Sequence, residues 1–225
     1  VVLTQDQEKR LRELMRVFLA ENTLINLSAY RTEETCWAGN ILDSLALWEL
    51  AADLSSPRAI MDVGIGGGFP ILPLAMMLPS LSFTGIDSVQ KKIDAVRRIA
   101  AAVNLTNVTL ATGRAEELGR LDKYREKFSL VLSRAVAPIN VLLEYCSPFA
   151  EVGGRIVLWK SMNIEEELEE SLLARAEFSC HLAGRHQYDL PGSWGKRQLL
   201  IFEKASPLSP KYPRGVGIPK KHPLQ

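Results

Sequence analysis

Ile60-Met-Asp-Val-Gly-Ile-Gly-Gly-Gly-Phe-Pro70 is the stretch from which the fold is read. A short apolar run containing Asp62 enters glycines at 64, 66, 67 and 68, and Pro70 marks the start of a helix. Glycine tolerates positive φ and lets a ligand approach bare backbone. In an open α/β sheet such a strand–loop–helix junction lies at the carboxyl ends of the strands, where ligands bind. The loop does not fit two common nucleotide patterns. A dinucleotide fingerprint needs a third glycine at 69 or 71, and those positions hold Phe69 and Ile71; a P-loop needs a lysine that is absent.

Outward from this loop, strand-like and helix-like segments alternate. Strands are expected at Ala59–Val63, Leu81–Asp87, Asn107–Ala111, Phe128–Ser133, Arg155–Trp159, Ser179–Tyr188 and Gln198–Lys204. Helices are expected at Pro70–Leu78, Val89–Val103, Ile139–Phe149 and Ile164–Ala176. Alternation of this kind predicts parallel strands joined by crossover helices. The last two strands are separated by only Asp189–Lys196, too short for a helix, and should form an antiparallel hairpin at one edge. The expectation is an α/β, Rossmann-like, class I methyltransferase fold with a mixed seven-stranded sheet.

Thr4 and Gln7 form a capping-box pattern before Leu11, Leu14, Met15, Phe18 and Leu19, which recur at helical spacing. A second helical stretch carries Trp37, Ile41, Leu42, Leu45 and Trp48. Three units are therefore expected: an N-terminal helical cap at 1–56, a main domain at 57–206 and a basic, proline-rich tail at 207–225. The tail's five prolines argue against a regular helix. Of the 225 residues, 47% are hydrophobic and 24% charged, enough for a packed core. The net charge of +1 is uneven: residues 191–225 carry +6 and the rest −5, which fits a polyanionic partner. Three scattered cysteines and three isolated histidines form no disulfide framework and no zinc pattern. The charged first residues and the lack of a long apolar run predict neither a secretory signal nor a membrane span, and a cytoplasmic location.

Several acids and cations sit at strand ends. Asp62 is of little use to an anion-binding loop, but it suits the ammonium group of S-adenosylmethionine, directly or through water. Asp87, ending the second strand, can accept from both ribose hydroxyls of an adenosine. Gly113-Arg-Ala-Glu116 follows the third strand, where a backbone N–H and Glu116 can read an adenine edge. The fourth strand ends in Ser133-Arg-Ala-Val-Ala-Pro138. Neither the Asp/Asn-Pro-Pro-aromatic motif of amine methylation nor a nucleophilic cysteine is found there. A ring nitrogen with an in-plane lone pair, such as guanine N7, needs neither device; alignment with the methyl donor suffices. Arg134 can hold the cofactor carboxylate or hydrogen-bond a base O6, and Lys160 ends the fifth strand at the same crevice. Arg197, Tyr212, Arg214, Lys220 and Lys221 offer a phosphate-and-stacking surface for RNA.

These residues resemble the small-subunit ribosomal RNA guanine-N7 methyltransferase family, also called glucose-inhibited division protein B. The likeness spans nearly the whole chain: Asn26-Leu-Ser-Ala-Tyr-Arg31, Ile41-Leu-Asp-Ser-Leu45, Asp62-Val-Gly64, Gly68-Phe-Pro70, Asp87-Ser88, Gly113-Arg-Ala-Glu116, Ser133 to Pro138 and Tyr212-Pro-Arg214. The resemblance implies methyl transfer from S-adenosylmethionine to N7 of a guanine in the decoding-region loop of 16S rRNA. The partner would be that RNA, the small ribosomal subunit or its assembly intermediate, with no metal and no membrane. Gly64, Phe69, Ala115, Glu116 and Arg134 match the family's cofactor-contacting positions, to which the loop adds Gly66 and Gly68. This chain departs from the pattern with Gly39-Asn40 for the usual Arg-His, and with Ile65, Ile71 and Ser161. The first departure motivates one rival reading, an RNA-binding protein with a cofactor pocket and little activity. A dinucleotide-dependent oxidoreductase is the other.

Overall fold

The computed structural model describes residues 2–50, 59–134 and 137–225. Seven strands, β1 (Ala59–Val63), β2 (Ser82–Asp87), β3 (Val108–Thr112), β4 (Phe128–Arg134), β5 (Ala150–Lys160), β6 (Cys180–Leu190) and β7 (Gly195–Lys204), form one sheet. Their order is β3-β2-β1-β4-β5-β7-β6. The first five are parallel, and β7 runs antiparallel between β5 and β6, so the terminal hairpin forms one edge as expected. The order reverses between β1 and β4, which opens a crevice at their carboxyl ends. Leu130-Val-Leu132 and Ile156-Val-Leu158 are buried throughout, as strands covered on both faces require.

One face of the sheet is covered by α1 (Gln5–Leu24), the cap, α4 (Ile71–Met77) and α5 (Gln90–Ala102). The other is covered by α7 (Ile139–Cys146), α8 (Glu165–Glu170) and α9 (Leu172–Glu177), with the short α6 (Ala115–Leu118) at its margin. The Thr4–Gln7 capping box starts α1 with both reciprocal hydrogen bonds made. At its far end buried Asn22 shapes the next loop: its Oδ1 accepts from the N–H groups of Leu27 and Ser28, and its Nδ2 donates to the carbonyls of Ser28 and Tyr30. The cap continues as α2 (Glu33–Cys36), a π-helical stretch at Trp37–Leu42 and α3 (Asp43–Glu49). The expected boundary at 56/57 lies outside the described residues.

Three expectations need correction. The helix at Ile164–Ala176 is broken into α8 and α9 at Ser171, whose buried hydroxyl donates back to the Leu168 carbonyl. The fifth strand begins five residues early, at Ala150. The basic segment 207–225, expected to hold no regular helix, packs on the main domain and contains a helical turn, α10 (Ile218–Lys221), with Pro219 in its first turn. Arg125 donates to the carbonyls of Leu208 and Tyr212, and Arg120 to that of Pro213. Arg214 grips the buried Glu144 of α7 through Nε and Nη2.

Candidate functional site

The carboxyl ends of β1 to β5 open into a cavity of about 840 Å³, toward the upper end of the range for small-molecule sites. Its floor at one end is the glycine loop, tied to β2 because the N–H groups of Gly64 and Ile65 both donate to the Ile86 carbonyl. Gly66 has φ +52°, and a Cβ there would meet nothing within 4 Å, so its backbone faces open space in the cavity wall. Asp87 completes this end. Its Oδ2 accepts from the Gly66 N–H at 3.0 Å and its Oδ1 from the Val89 N–H at 2.9 Å. Each oxygen keeps a second lone-pair site for a hydroxyl. Ala115 and Glu116 line the same end, and Glu116 Oε1 accepts the N–H of Gly217 at 2.9 Å, which joins the C-terminal segment to this wall of the cavity.

Asp62 lies beneath the loop rather than on the cavity surface. It is 1% exposed, and neither carboxylate oxygen has a hydrogen-bond partner in the structure. Burial pushes it from its ordinary 3.8 to about 7, with the charge of Arg134 pulling it only part of the way back. A buried carboxylate without a partner, an open glycine cradle and an acid with free lone pairs fit the ammonium, backbone-facing and ribose portions of S-adenosylmethionine. Gly68 sits deeper, where a Cβ would strike Leu72 at 2.7 Å, so its role is loop packing.

The other end is built by the cap. In the π-helical stretch the Asp43 N–H reaches the Ala38 carbonyl in place of the Gly39 carbonyl, its ordinary helical acceptor. The Gly39 carbonyl instead accepts from Arg134 Nη1 at 3.0 Å. The same Nη1 donates to Asp43 Oδ2 at 2.8 Å, and Nη2 donates to Asn40 Oδ1 at 2.8 Å. Asp43 also accepts from Tyr188 through Oδ1 at 2.6 Å, and its carbonyl accepts from Trp159 Nε1. Burial, with the charge and hydrogen bond of Asp43, pushes the Tyr188 hydroxyl far above its ordinary value. Phe69 is held between Phe18 of α1, at 4.7 Å, and the Arg134 guanidinium, at 5.7 Å.

Lys160 lines the cavity as expected, but its ammonium is engaged: it donates to Glu167 Oε2 at 2.6 Å and to the Ala137 carbonyl at 3.0 Å. It fastens the segment after β4 to α8, which corrects its assignment as a cation open to RNA. The neighbouring positions 135 and 136 of the Ser-Arg-Ala motif lie outside the described residues. Two further assignments to RNA are corrected. Tyr212 is buried, its ring edge-on to Phe178 and its hydroxyl donating to Glu177, so it offers no face for stacking. Arg214 is committed to Glu144. Arg197 and Lys220 do line the cavity, together with Lys92 and Arg114, while Lys221 is exposed on α10.

Sequence reasoning missed Tyr30, Asp43, Trp159 and Tyr188. The first two stand inside quoted family motifs; Trp159 and Tyr188 carry no signal beyond their place at strand ends. Among the described residues no group of three potential metal ligands occurs, and no helix is long and apolar enough to cross a membrane.

The fold recurs in solved methyltransferases. An O-methyltransferase from Bacillus cereus in complex with SAH superposes with TM-score 0.57 at 16% identity, covering 85% of this chain and 90% of that one. A ribosomal protein L11 methylase from Lactobacillus delbrueckii gives 0.53 at 19%, covering 72% and 77%. Sequence relatives are much nearer. The ribosomal RNA small subunit methyltransferase G of Carboxydothermus hydrogenoformans is 38% identical over 209 residues, covering 93% of this chain and 88% of that protein. The protein of the same name from Staphylococcus aureus is 36% identical over 224 residues, covering 100% and 93%. Residues 7–199 match the family described as rRNA small subunit methyltransferase G, and the chain belongs to that family.

Proposed function

We propose that the protein transfers a methyl group from S-adenosylmethionine to N7 of a guanine in 16S ribosomal RNA, either free or within the small subunit or its assembly intermediate. It would act in the cytoplasm and need no metal. When bound, S-adenosylmethionine supplies a methyl group on a positively charged sulfur. Asp62 compensates the ammonium from beneath the loop, Gly64, Gly66 and Phe69 shape the methionine subsite, Asp87 takes the ribose, and Ala115 with Glu116 borders the adenine. The cap at 1–56 and the 57–206 domain close on the reaction end through Arg134, and the 207–225 segment walls the adenine end.

One observation carries the N7 reading: the state of the acid at the reaction end. Asp43 is the carboxylate lining that end among the described residues, and its oxygens are occupied by Arg134 and Tyr188. A nucleophile that must lose a proton would have only this carboxylate, already shared with Arg134 and Tyr188, to take it. An in-plane ring nitrogen brings its own lone pair, so positioning is what the site must supply. Arg134, with donors beyond those the cap uses, is placed to orient the base O6.

The test is transfer of tritiated methyl into small-subunit RNA from a strain lacking the modification, followed by cleavage mapping at 7-methylguanosine. Incorporation at a single guanine N7 is expected. Methyl on an exocyclic amine, or no incorporation by protein that binds S-adenosylhomocysteine, overturns the reading and favours the RNA-binding alternative.

A further inference from the structure

Among the described residues, four aromatic rings lie at the reaction end of the cavity, and three are consumed by the wall. Phe69 lies between Phe18 and Arg134, Trp159 is buried with its N–H on Asp43, and Tyr188 is tied to the same Asp43. The fourth, Tyr30, arrives from a loop of the cap and also lines the cavity. Its backbone is fixed on both sides: the N–H donates to Ser28 Oγ and the carbonyl accepts from Asn22. Its ring is braced edge-to-face by Trp194 at the tip of the β6–β7 hairpin, with centroids 5.0 Å apart. Both rings occupy space that any side chain at 39 would fill, since a Cβ on Gly39 would lie 2.5 Å from Tyr30 Cε2 and 2.9 Å from Trp194 Cη2. Residues 22, 39 and 194, far apart in sequence, thus fix one half-buried ring in the wall of the cavity that Arg134 also lines.

From this convergence we propose that Tyr30 is the platform on which the target purine stacks once it leaves the RNA helix or loop. The inference rests on the RNA-methyltransferase reading and names the residue that would hold the base. A structured RNA presents its target by splaying a base out of the stack, and the enzyme recovers that cost through an aromatic face. A ring held in one orientation also aligns the base edge with Arg134.

The test compares Tyr30→Ala, Tyr30→Leu and Tyr30→Phe in methyl transfer to the unmodified RNA, with S-adenosylhomocysteine binding measured by calorimetry. Loss of a base–aromatic stack predicts that Ala and Leu lower kcat/KM for RNA by about 5- to 150-fold, mainly through KM. Cofactor affinity should stay at the parent value, and Phe, which restores the ring, should restore the RNA KM. Leu fills most of the ring's volume and keeps the test sound if Ala misfolds. A Leu variant as active as the parent overturns the proposal, as does a parallel loss of cofactor binding, which would make Tyr30 a structural support only. A parent protein that binds the cofactor yet methylates no RNA overturns the functional reading itself.

Discussion

Arg134 Nη2 donates to Asn40 Oδ1 at 2.8 Å, so a residue of the cap holds the guanidinium at the head of β4. Asn40 is 1% exposed and also donates to Ser28 Oγ, which places it between Arg134 and the loop carrying Tyr30. The substitution at 40 that raised doubt about activity therefore leaves a polar side chain in a defined structural role. An amide acceptor keeps Arg134 in place at any pH, which a titratable imidazole would not.

Asp43 is the charged partner in the same arrangement, and its pair with Arg134 is 12–14% exposed on both sides. Asp43→Ala strips a partly buried guanidinium of its charged acceptor and leaves the Tyr188 hydroxyl unpaired. Urea titration should show a loss of about 1.5–3 kcal/mol, the range for a hydrogen bond to a charged group. Methyl transfer should fall further than cofactor binding, because Arg134 and not the glycine loop is released.

Asp87→Asn keeps the shape but turns one charged acceptor into a donor beside the Gly66 N–H. Calorimetry with S-adenosylhomocysteine should show affinity weakened by about 1.5–3 kcal/mol. An unchanged dissociation constant would remove Asp87 from the ribose subsite.

The end proposed to hold the cofactor was legible in the sequence because its signals are local. Asp62, the glycines and Asp87 sit at fixed positions relative to strand ends, and the alternation of apolar runs places those ends together. The reaction end was not, because it is assembled across long separations: Asp43 meets Tyr188, and Tyr30 meets Trp194 over a glycine at 39. No period or motif encodes such meetings. The tail misled for a related reason. Its prolines and cations read as a basic surface for RNA, whereas Tyr212 finds a partner in α9 and Arg214 a buried one in α7 that composition cannot reveal.

Gly39→Ala tests the same long-range assembly from the other side. The added methyl has to displace the Tyr30 or Trp194 ring. We expect a higher KM for RNA and unchanged affinity for S-adenosylhomocysteine, with quenching or shift of Trp194 fluorescence reporting the movement. An alanine variant with parent kinetics would mean that ring placement is not critical.

Asp62 gives a pH dependence whose sign is fixed. Its value of about 7 in the folded protein lies above the ordinary 3.8, so the folded state binds the extra proton between those values. Its contribution to stability is complete below about pH 4, declines as pH rises and is lost above about pH 7. Relative to Asp62→Asn, the parent should therefore lose stability between about pH 4 and pH 7 in urea titrations. A cationic ammonium above the loop favours the ionised carboxylate, so S-adenosylhomocysteine should bind more tightly as pH rises through about 7 and release a proton below it. Calorimetry in buffers of different ionisation enthalpy counts that proton; none released would detach Asp62 from the ammonium.

Arg214 separates a structural cation from an RNA-binding one. Glu144 is 1% exposed and accepts from Arg214 through Nε, Nη2 and the backbone N–H. Arg214→Ala leaves that carboxylate buried without its charge partner, a loss of about 3 kcal/mol at the lower end for buried pairs. The damage should spread toward the cofactor, because Gly217, three residues on, holds Glu116. We therefore expect earlier proteolysis of the C-terminal segment and weaker S-adenosylhomocysteine binding. The salt dependence of RNA binding should keep its slope. Lys220→Ala should do the reverse: cofactor affinity and stability near the parent, and a salt slope reduced by about one for the phosphate contact removed. A reduced slope for Arg214→Ala with full stability would return that residue to the RNA surface.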